Sequence, residues 1–232
     1  MQIEVIIEKK SHKLDAEEGK TILETLQEHG IHVLTAPCGG RGRCGKCTVE
    51  VEHMGEVLAC MTKVTDGMRI TIPKVQLRAQ KSKIAENGTV THYPADDGEG
   101  LDAACDIGTT TVVCHLIDGK TGEKLATVSE PSAQRSFGAD VLSRIQAAEA
   151  GKLEILKEQI IFQIAQMLRT LQKKTGRGEQ IQRLAVVGNT VMCHLFAGIS
   201  PVSIGVTPFM PQEFFGKAVS YTHLTLPTIL RV

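Results

Sequence analysis

A chain of 232 residues with 26 basic and 26 acidic side chains has no net charge, so its bulk electrostatics argue against a nucleic-acid or membrane-surface partner. Hydrophobic residues make up 42% and charged residues 22%, the balance of a globular protein with room for one large domain or two modest ones. Aromatic residues are only 3%, with no Trp, which argues against a base-stacking surface. The opening residues, Met1-Gln-Ile-Glu-Val-Ile-Ile-Glu8, lack the basic region and apolar run of a secretory signal. No stretch approaches the roughly 20 apolar residues that span a bilayer. Seven cysteines, four close together and three apart, fit a reducing cytoplasm better than a disulfide framework.

Residues 2–8 are rich in β-branched side chains and predict a strand, with residues 11–15 as its hairpin partner. Thr21 followed by Glu24 is a capping-box pattern. The helix it opens carries Ile22, Leu23 and Leu26 on one face and stops at Gly30. A loop, Ala36-Pro-Cys-Gly-Gly-Arg-Gly-Arg-Cys-Gly-Lys-Cys47, comes next. Cys38, Cys44 and Cys47 are spaced Cys-x5-Cys-x2-Cys, and twelve residues separate Cys47 from Cys60. Four thiolates delivered by one loop and one later position are how a protein holds a 2Fe–2S cluster. Gly39, Gly40, Gly42 and Gly45 permit positive φ, so backbone N–H groups can come close to the sulfurs. Arg41, Arg43 and Lys46 add positive charge. Zinc is the plainer alternative, but it usually draws on paired Cys-x2-Cys knuckles and only one such pair is present. Thr48–Glu52 and Met68–Ile72 alternate apolar and polar residues and predict half-buried strands. The outcome is an α+β unit, a small mixed sheet grasping one helix.

Residues 1–75 resemble the β-grasp ferredoxins that carry a 2Fe–2S cluster. Plant-type ferredoxins have four residues between the first two ligands, against five here. The five-residue gap is similar to that of vertebrate-type and corrinoid-activator ferredoxin domains. The resemblance implies that Cys38, Cys44, Cys47 and Cys60 ligate iron and that the cluster carries one electron.

Residues 76–100 are polar, rich in Gly and Asp, and without sustained period, so they predict an interdomain linker. A second domain opens at Leu101. Asp106-Ile-Gly-Thr-Thr-Thr111 lies between two strand-like runs, Leu101–Cys105 and Val112–Ile117. Gly108 permits a tight turn, and the N–H groups and hydroxyls of Thr109 and Thr110 can cradle an anion. Asp106 can hold magnesium through water. The segment resembles the first phosphate motif of the acetate and sugar kinase, heat-shock chaperone and actin superfamily; a plain polar hairpin turn is the alternative. Asp118–Gly122 predicts another turn and Leu125–Ser129 another strand. After Gln134-Arg-Ser-Phe-Gly-Ala-Asp-Val141 comes an amphipathic helix bearing Leu153, Leu156, Ile160, Ile164, Met167 and Leu171. Lys173, Lys174 and Gly176 end it. Arg183–Val187 predicts a buried strand that feeds Gly188-Asn-Thr190 and a further helix. Gly188, Asn189 and Thr190 then lie at an anion-binding helix N-terminus, with a simple N-cap role for Asn189 or Thr190 at least as good a reading. Cys105 and Cys114 are expected to be buried free thiols, and His194 beside Cys193 a packing histidine.

A 2Fe–2S β-grasp domain followed by these motifs resembles the reductive activators of corrinoid proteins, over about residues 1–218. The resemblance implies an α+β protein: a ferredoxin domain at 1–75, a linker at 76–100, and the N-terminal part of an actin-like (ribonuclease H-like) ATPase domain at 101–218. It further implies a cytoplasmic protein whose ATP-driven, magnesium-dependent domain lets a 2Fe–2S cluster return cobalt(II) corrinoid to cobalt(I). The partners are then a corrinoid protein or corrinoid-dependent methyltransferase and a low-potential electron donor, with no nucleic acid and no membrane. Nothing after Phe215 supplies the second phosphate motif or adenosine motif of that family. The tail Val219–Thr228 resembles translated read-through of a sequencing adapter, so residues 219–232 are expected to be non-natural; a genuine C-terminal strand interrupted by Pro227 is the alternative. A cluster-bearing fragment without useful ATPase activity is the expectation. Competing functions are a plain electron carrier whose second domain is a docking module, and a kinase-like enzyme with a redox sensor.

Overall fold

The structure, a computed structural model, describes residues 1–73 and 100–215, together with the strand backbone of 218–221 and 226–230. The predicted linker lies outside the described residues, except for Gly100. The chain divides into two compact units, Met1–Ser82 with Ala133–Ala147, and Lys83–Ser132 with Ala148–Val232.

In the first unit, β1 (Gln2–Ile7) turns through Glu8 and Lys9, both at positive φ, into antiparallel β2 (Lys10–Asp15). Two consecutive residues at positive φ make the tight turn whose twist matches that of the flanking strands. Strands β3 (Thr48–Val51), β4 (Gly55–Leu58) and β5 (Arg69–Thr71) complete a sheet of order β2-β1-β5-β3-β4, in which β5 runs parallel to β1. Helix α1 (Ile22–Glu28) is closed by the predicted capping box. Thr21 Oγ1 accepts from the Glu24 N–H at 3.2 Å, and Glu24 Oε2 accepts from the Thr21 N–H at 2.9 Å. Ile22, Leu23 and Leu26 are buried in one cluster with Val5, Val49 and Ile70 of the sheet. Burial of that face, more than helix propensity, holds a helix of two turns in place. Strand β4 is absent from the sequence expectation because it lacks alternation: Gly55 and Glu56 are exposed, and Val57 and Leu58 are half-buried.

The second unit opens with an antiparallel meander, β6 (Leu101–Ile107), β7 (Thr111–Asp118) and β8 (Lys124–Pro131). After Ala133–Ala147, a π-helical segment at Ala148–Lys152 kinks at Gly151, φ 82°, and leads into the long crossover helix. The segment 133–147 itself holds a 3-10 turn (Ala133–Phe137) and α2 (Val141–Ala147). The crossover helix, α3 (Leu153–Thr175), buries Leu156, Ile160, Ile164, Met167 and Leu171 on one face and packs on β7 and β8. Gly176 ends it in the left-handed conformation, φ 67°, as predicted. Strand β9 (Ile181–Val187) then runs parallel to β6 and leads into α4 (Thr190–Ala197). Strands β10 (Ala218–Tyr221) and β11 (Leu226–Leu230) pair with each other, and β11 lies parallel beside β9. The order is β10-β11-β9-β6-β7-β8. The sheet is thus an antiparallel meander whose first strand is extended by parallel strands on its free side.

One expectation is corrected here. The β6–β7 register sets Cys105 directly opposite Cys114, and the two form a disulfide. Sequence spacing alone does not carry this, because a shift of one residue would have turned the two side chains to opposite faces. No described helix is long and apolar enough to cross a membrane.

Candidate functional site

Two groups of residues have the chemistry of a site, one in each unit. In the first unit the loop between α1 and β3 is anchored on both sides. The Cys47 carbonyl accepts from the Ala59 N–H at 2.9 Å, and the Ala59 carbonyl accepts from the Leu23 N–H at 2.9 Å. Those two bonds fix Cys60, one residue on, against the loop that carries Cys47. The thiols fall into two pairs: Cys38 and Cys44 with Sγ atoms 3.3 Å apart, and Cys47 and Cys60 likewise 3.3 Å apart. The second pair is buried and the first half-buried. Among the described residues no three His, Cys, Asp or Glu side chains converge on a single metal-ion position. Two dithiol pairs instead match the ligand demand of a two-iron centre, in which each tetrahedral iron takes two thiolates and two bridging sulfides. A mononuclear zinc site with four cysteine ligands would gather all four sulfurs on one point.

The backbone supplies the rest of the donor set. Gly39, Gly40, Gly42 and Gly45 all have φ between 62° and 81°, a region that L side chains rarely adopt. An added Cβ on Gly42 would meet only the Met61 side chain, 2.8 Å from its Sδ; that side chain is exposed and can swing aside, so positive φ is the constraint there. The contorted loop aims amide groups at sulfur. Burial acts to push the Cys38 thiol up, but hydrogen bonds from Cys44 and from the Arg43 and Arg41 amides outweigh it and hold the thiol at about 6. Cys60 is pushed up to about 12, by burial first and then by the neighbouring Cys47 sulfur, with the Gly42 amide opposing. Metal binding would release the Cys60 proton, because iron takes cysteine as thiolate. Arg41, Arg43 and Lys46 are exposed around the loop.

In the second unit the β6–β9 pairing brings together the two segments that sequence reasoning read, each by itself, as anion-binding. Asp106 is level with Val187, so the turn at Gly108 and the turn at Gly188 leave the sheet side by side. Both glycines are sterically required. A Cβ on Gly108 would lie 2.6 Å from the Thr111 carbonyl oxygen, and one on Gly188 would lie 2.7 Å from Ile107 Cγ1. Asn189 joins the turns. Its Oδ1 accepts from the Met192 N–H at 3.0 Å, the N-cap bond, and its Nδ2 donates to Thr109 Oγ1 at 3.1 Å. Asp106, Thr110, Asn189 and Thr190 are exposed and Gly108, Thr109 and Gly188 half-exposed, so the strand ends are open to a solute. The Cys193 thiol, behind them, is pushed up to about 11 by burial and then by the negative charge of Asp106. His194 is a packing group, as expected. Its Nδ1 lies 2.7 Å from the Thr190 carbonyl, its Nε2 accepts from the Glu213 N–H at 3.3 Å, and its ring meets Phe215 edge-on at 5.0 Å. The Nδ1 contact to a carbonyl assigns the proton to that nitrogen.

A 2Fe–2S ferredoxin-type domain followed by an α/β unit built on a mixed six-stranded sheet is the class these features define. Comparison with known proteins agrees. Residues 4–74 match a 2Fe-2S iron-sulfur cluster binding domain, and residues 101–229, more than half of the chain, match the RACo middle region. The chain belongs to the family of reductive activators of corrinoid proteins. It is 27% identical over 271 aligned positions to the corrinoid activation enzyme RamQ of Eubacterium limosum, spanning 84% of this chain and 45% of that protein. It superposes on the structure of a reductive activator for a corrinoid, iron-sulfur protein with a TM-score of 0.54 and 22% identity, covering 98% of this chain and 55% of the other. The chain therefore spans about half the length of the relatives it matches.

Proposed function

We propose that this chain is the electron-delivering portion of an ATP-dependent activator that returns cobalt(II) corrinoid proteins to cobalt(I). Cys38 and Cys44 would hold one iron and Cys47 and Cys60 the other. A bound 2Fe–2S cluster supplies a one-electron carrier. The chain's own residues do the remaining work. The amides of Arg41, Gly42, Arg43 and Cys44 aim hydrogen bonds at sulfur, stabilising the added negative charge of the reduced state. Burial of Cys47 and Cys60 keeps water from one pair, while the exposed Arg41, Arg43 and Lys46 leave a cationic approach for redox partners.

Asp106, Gly108, Thr109, Thr110, Gly188, Asn189 and Thr190 would form half of a nucleotide cleft. In that half the backbone N–H groups of the turn and of the α4 N-terminus would take phosphate, and Asp106 would hold magnesium through water. The partners would be a corrinoid protein or corrinoid-dependent methyltransferase and a low-potential electron donor, and the setting the cytoplasm. The observation that supports this reading most is the two-by-two thiol pairing under an amide-lined loop in a chain of this family. The test is anaerobic: reduced, cluster-loaded protein is mixed with a cobalt(II) corrinoid protein, with and without magnesium-ATP, and cobalt(I) is followed by its absorption. Electron transfer to cobalt(II) that gains from ATP in the longer family protein supports the proposal. Equal transfer with and without ATP in that protein would make it a plain electron carrier, and no transfer would remove the corrinoid assignment.

A further inference from the structure

The segment Ala133–Ala147 lies in sequence among the strands and helices of the second unit, yet it is compact with the first. Its contacts fall on α1 and on the first turn of the cysteine loop. Gln27, in the last turn of α1, donates its Nε2 to the Ser136 carbonyl at 2.9 Å, a bond between residues 109 apart in sequence. The Ala139 N–H donates to the Pro37 carbonyl at 3.2 Å, one residue before Cys38. Gly39, one residue after Cys38, presents its bare Cα to the strap: an added Cβ would lie 3.4 Å from the Phe137 carbonyl oxygen and 3.8 Å from Ser143 Cβ. Phe137 is 4% exposed, and its ring lies 6.3 Å from that of His32, on the run between α1 and the loop.

The strap is itself built to keep its shape. Gln134 and Arg144 are both wholly buried and joined, Arg144 Nη1 donating to Gln134 Oε1 at 3.3 Å. Asp140 caps α2, accepting from the Ser143 N–H at 2.8 Å and from its hydroxyl at 2.9 Å. Burying an arginine and a glutamine is costly unless they stay paired, so the Arg144–Gln134 bond favours this conformation of the segment.

From this we infer that Gln134–Ala139 is a positioning strap for the Cys38 side of the cluster. It grips the backbone on both sides of Cys38, through Pro37 and Gly39, and Phe137, buried beside His32, anchors it there. The inference rests on the reading of Cys38 as an iron ligand. The direction of amide donors sets the potential of an iron–sulfur centre, so Phe137 of the strap and Gln27, its partner on α1, would set it without touching iron.

The test is a redox titration of the full chain with its cluster reconstituted, followed by the electron paramagnetic resonance signal of the reduced state. Phe137→Ala and Gln27→Ala are each expected to change the ratio of reduced to oxidised cluster at a fixed poise by about tenfold, which for a one-electron couple is ~59 mV. Phe137→Leu, which keeps an apolar plug, is expected to stay near wild type. In the cluster-free protein the Ala139 amide is expected to lose hydrogen-exchange protection in Phe137→Ala and keep it in Phe137→Leu. Unchanged potentials in Phe137→Ala and Gln27→Ala, with the cluster bound, would overturn the strap. Failure of the wild-type chain to bind any cluster would instead overturn the ligand assignment on which it rests.

Discussion

Asn189 makes two bonds that can be separated by substitution. Its Oδ1 caps α4 through the Met192 N–H, and its Nδ2 reaches the Thr109 hydroxyl across the strand ends. Replacing it with Ala removes both. Loss of an N-cap costs about 1 kcal/mol, and loss of an exposed side-chain hydrogen bond costs about 0.5 to 1 kcal/mol, so Asn189→Ala is expected to destabilise the second unit by ~2 kcal/mol. Asn189→Ser keeps a capping oxygen but is too short to reach Thr109, and it is expected to cost only about 0.5 to 1 kcal/mol. Thr109→Val removes the same cross-turn bond from the other side. In an Asn189→Ala background it is therefore expected to cost about 0.5 to 1 kcal/mol less than in the wild type, the coupling read by the double-mutant cycle. Urea unfolding followed by far-UV circular dichroism reads all five proteins, wild type included. If Asn189→Ala stays within the error of wild type, or Thr109→Val costs the same in both backgrounds, the two turns are not joined as described and the shared phosphate site loses its geometric basis.

Three further outcomes follow from individual contacts. Burial holds the His32 imidazole down at about 4, against 6.5 for an ordinary histidine, so the folded state prefers it neutral. The stability this preserves is complete above pH 6.5 and is lost as pH falls toward 4, by about 2 kcal/mol between pH 7 and pH 5; His32→Gln should flatten that part of the urea profile, and an unchanged slope would refute the assignment. Gly188→Ala would drive a methyl into the Ile107 side chain and carbonyl, and a destabilisation of about 1 to 3 kcal/mol is expected in thermal melts; a neutral result would show that the two turns have slack. His194→Ala removes a buried ring with two hydrogen bonds and the Phe215 contact, and should cost about 3 kcal/mol without altering any cluster signal.

Much of this architecture is legible in the sequence because local rules and tertiary packing agree. Thr21 and Glu24 cap the helix that their spacing announces, the three-and-four spacing from Leu153 to Leu171 is the buried face of α3, and the glycine-rich cysteine loop folds around its thiols. The convergence of Gly108 and Gly188 was foreseeable only through a resemblance, since it depends on β9 pairing parallel to β6 across 80 residues of sequence. What stayed hidden lacks a local signal. Strand β4 has no alternation, the Cys105–Cys114 pairing is set by register, and the docking of 133–147 on the first unit rests on one glutamine side chain, one amide and one bare glycine. No periodicity encodes a contact of that kind.

The proposed electron delivery requires Cys38, Cys44, Cys47 and Cys60 to hold a two-iron, two-sulfide cluster. Electron paramagnetic resonance and visible absorption of the anaerobically purified chain, alongside Cys38→Ser and Cys47→Ser, test that ligand set. The wild type is expected to show sulfide-to-iron charge-transfer bands, iron and acid-labile sulfide in the proportions of a 2Fe–2S centre, and a signal on one-electron reduction. Both variants are expected to lose these features or to change them markedly. A colourless protein that binds zinc, or a cluster that survives unchanged in Cys47→Ser, would contradict the assignment.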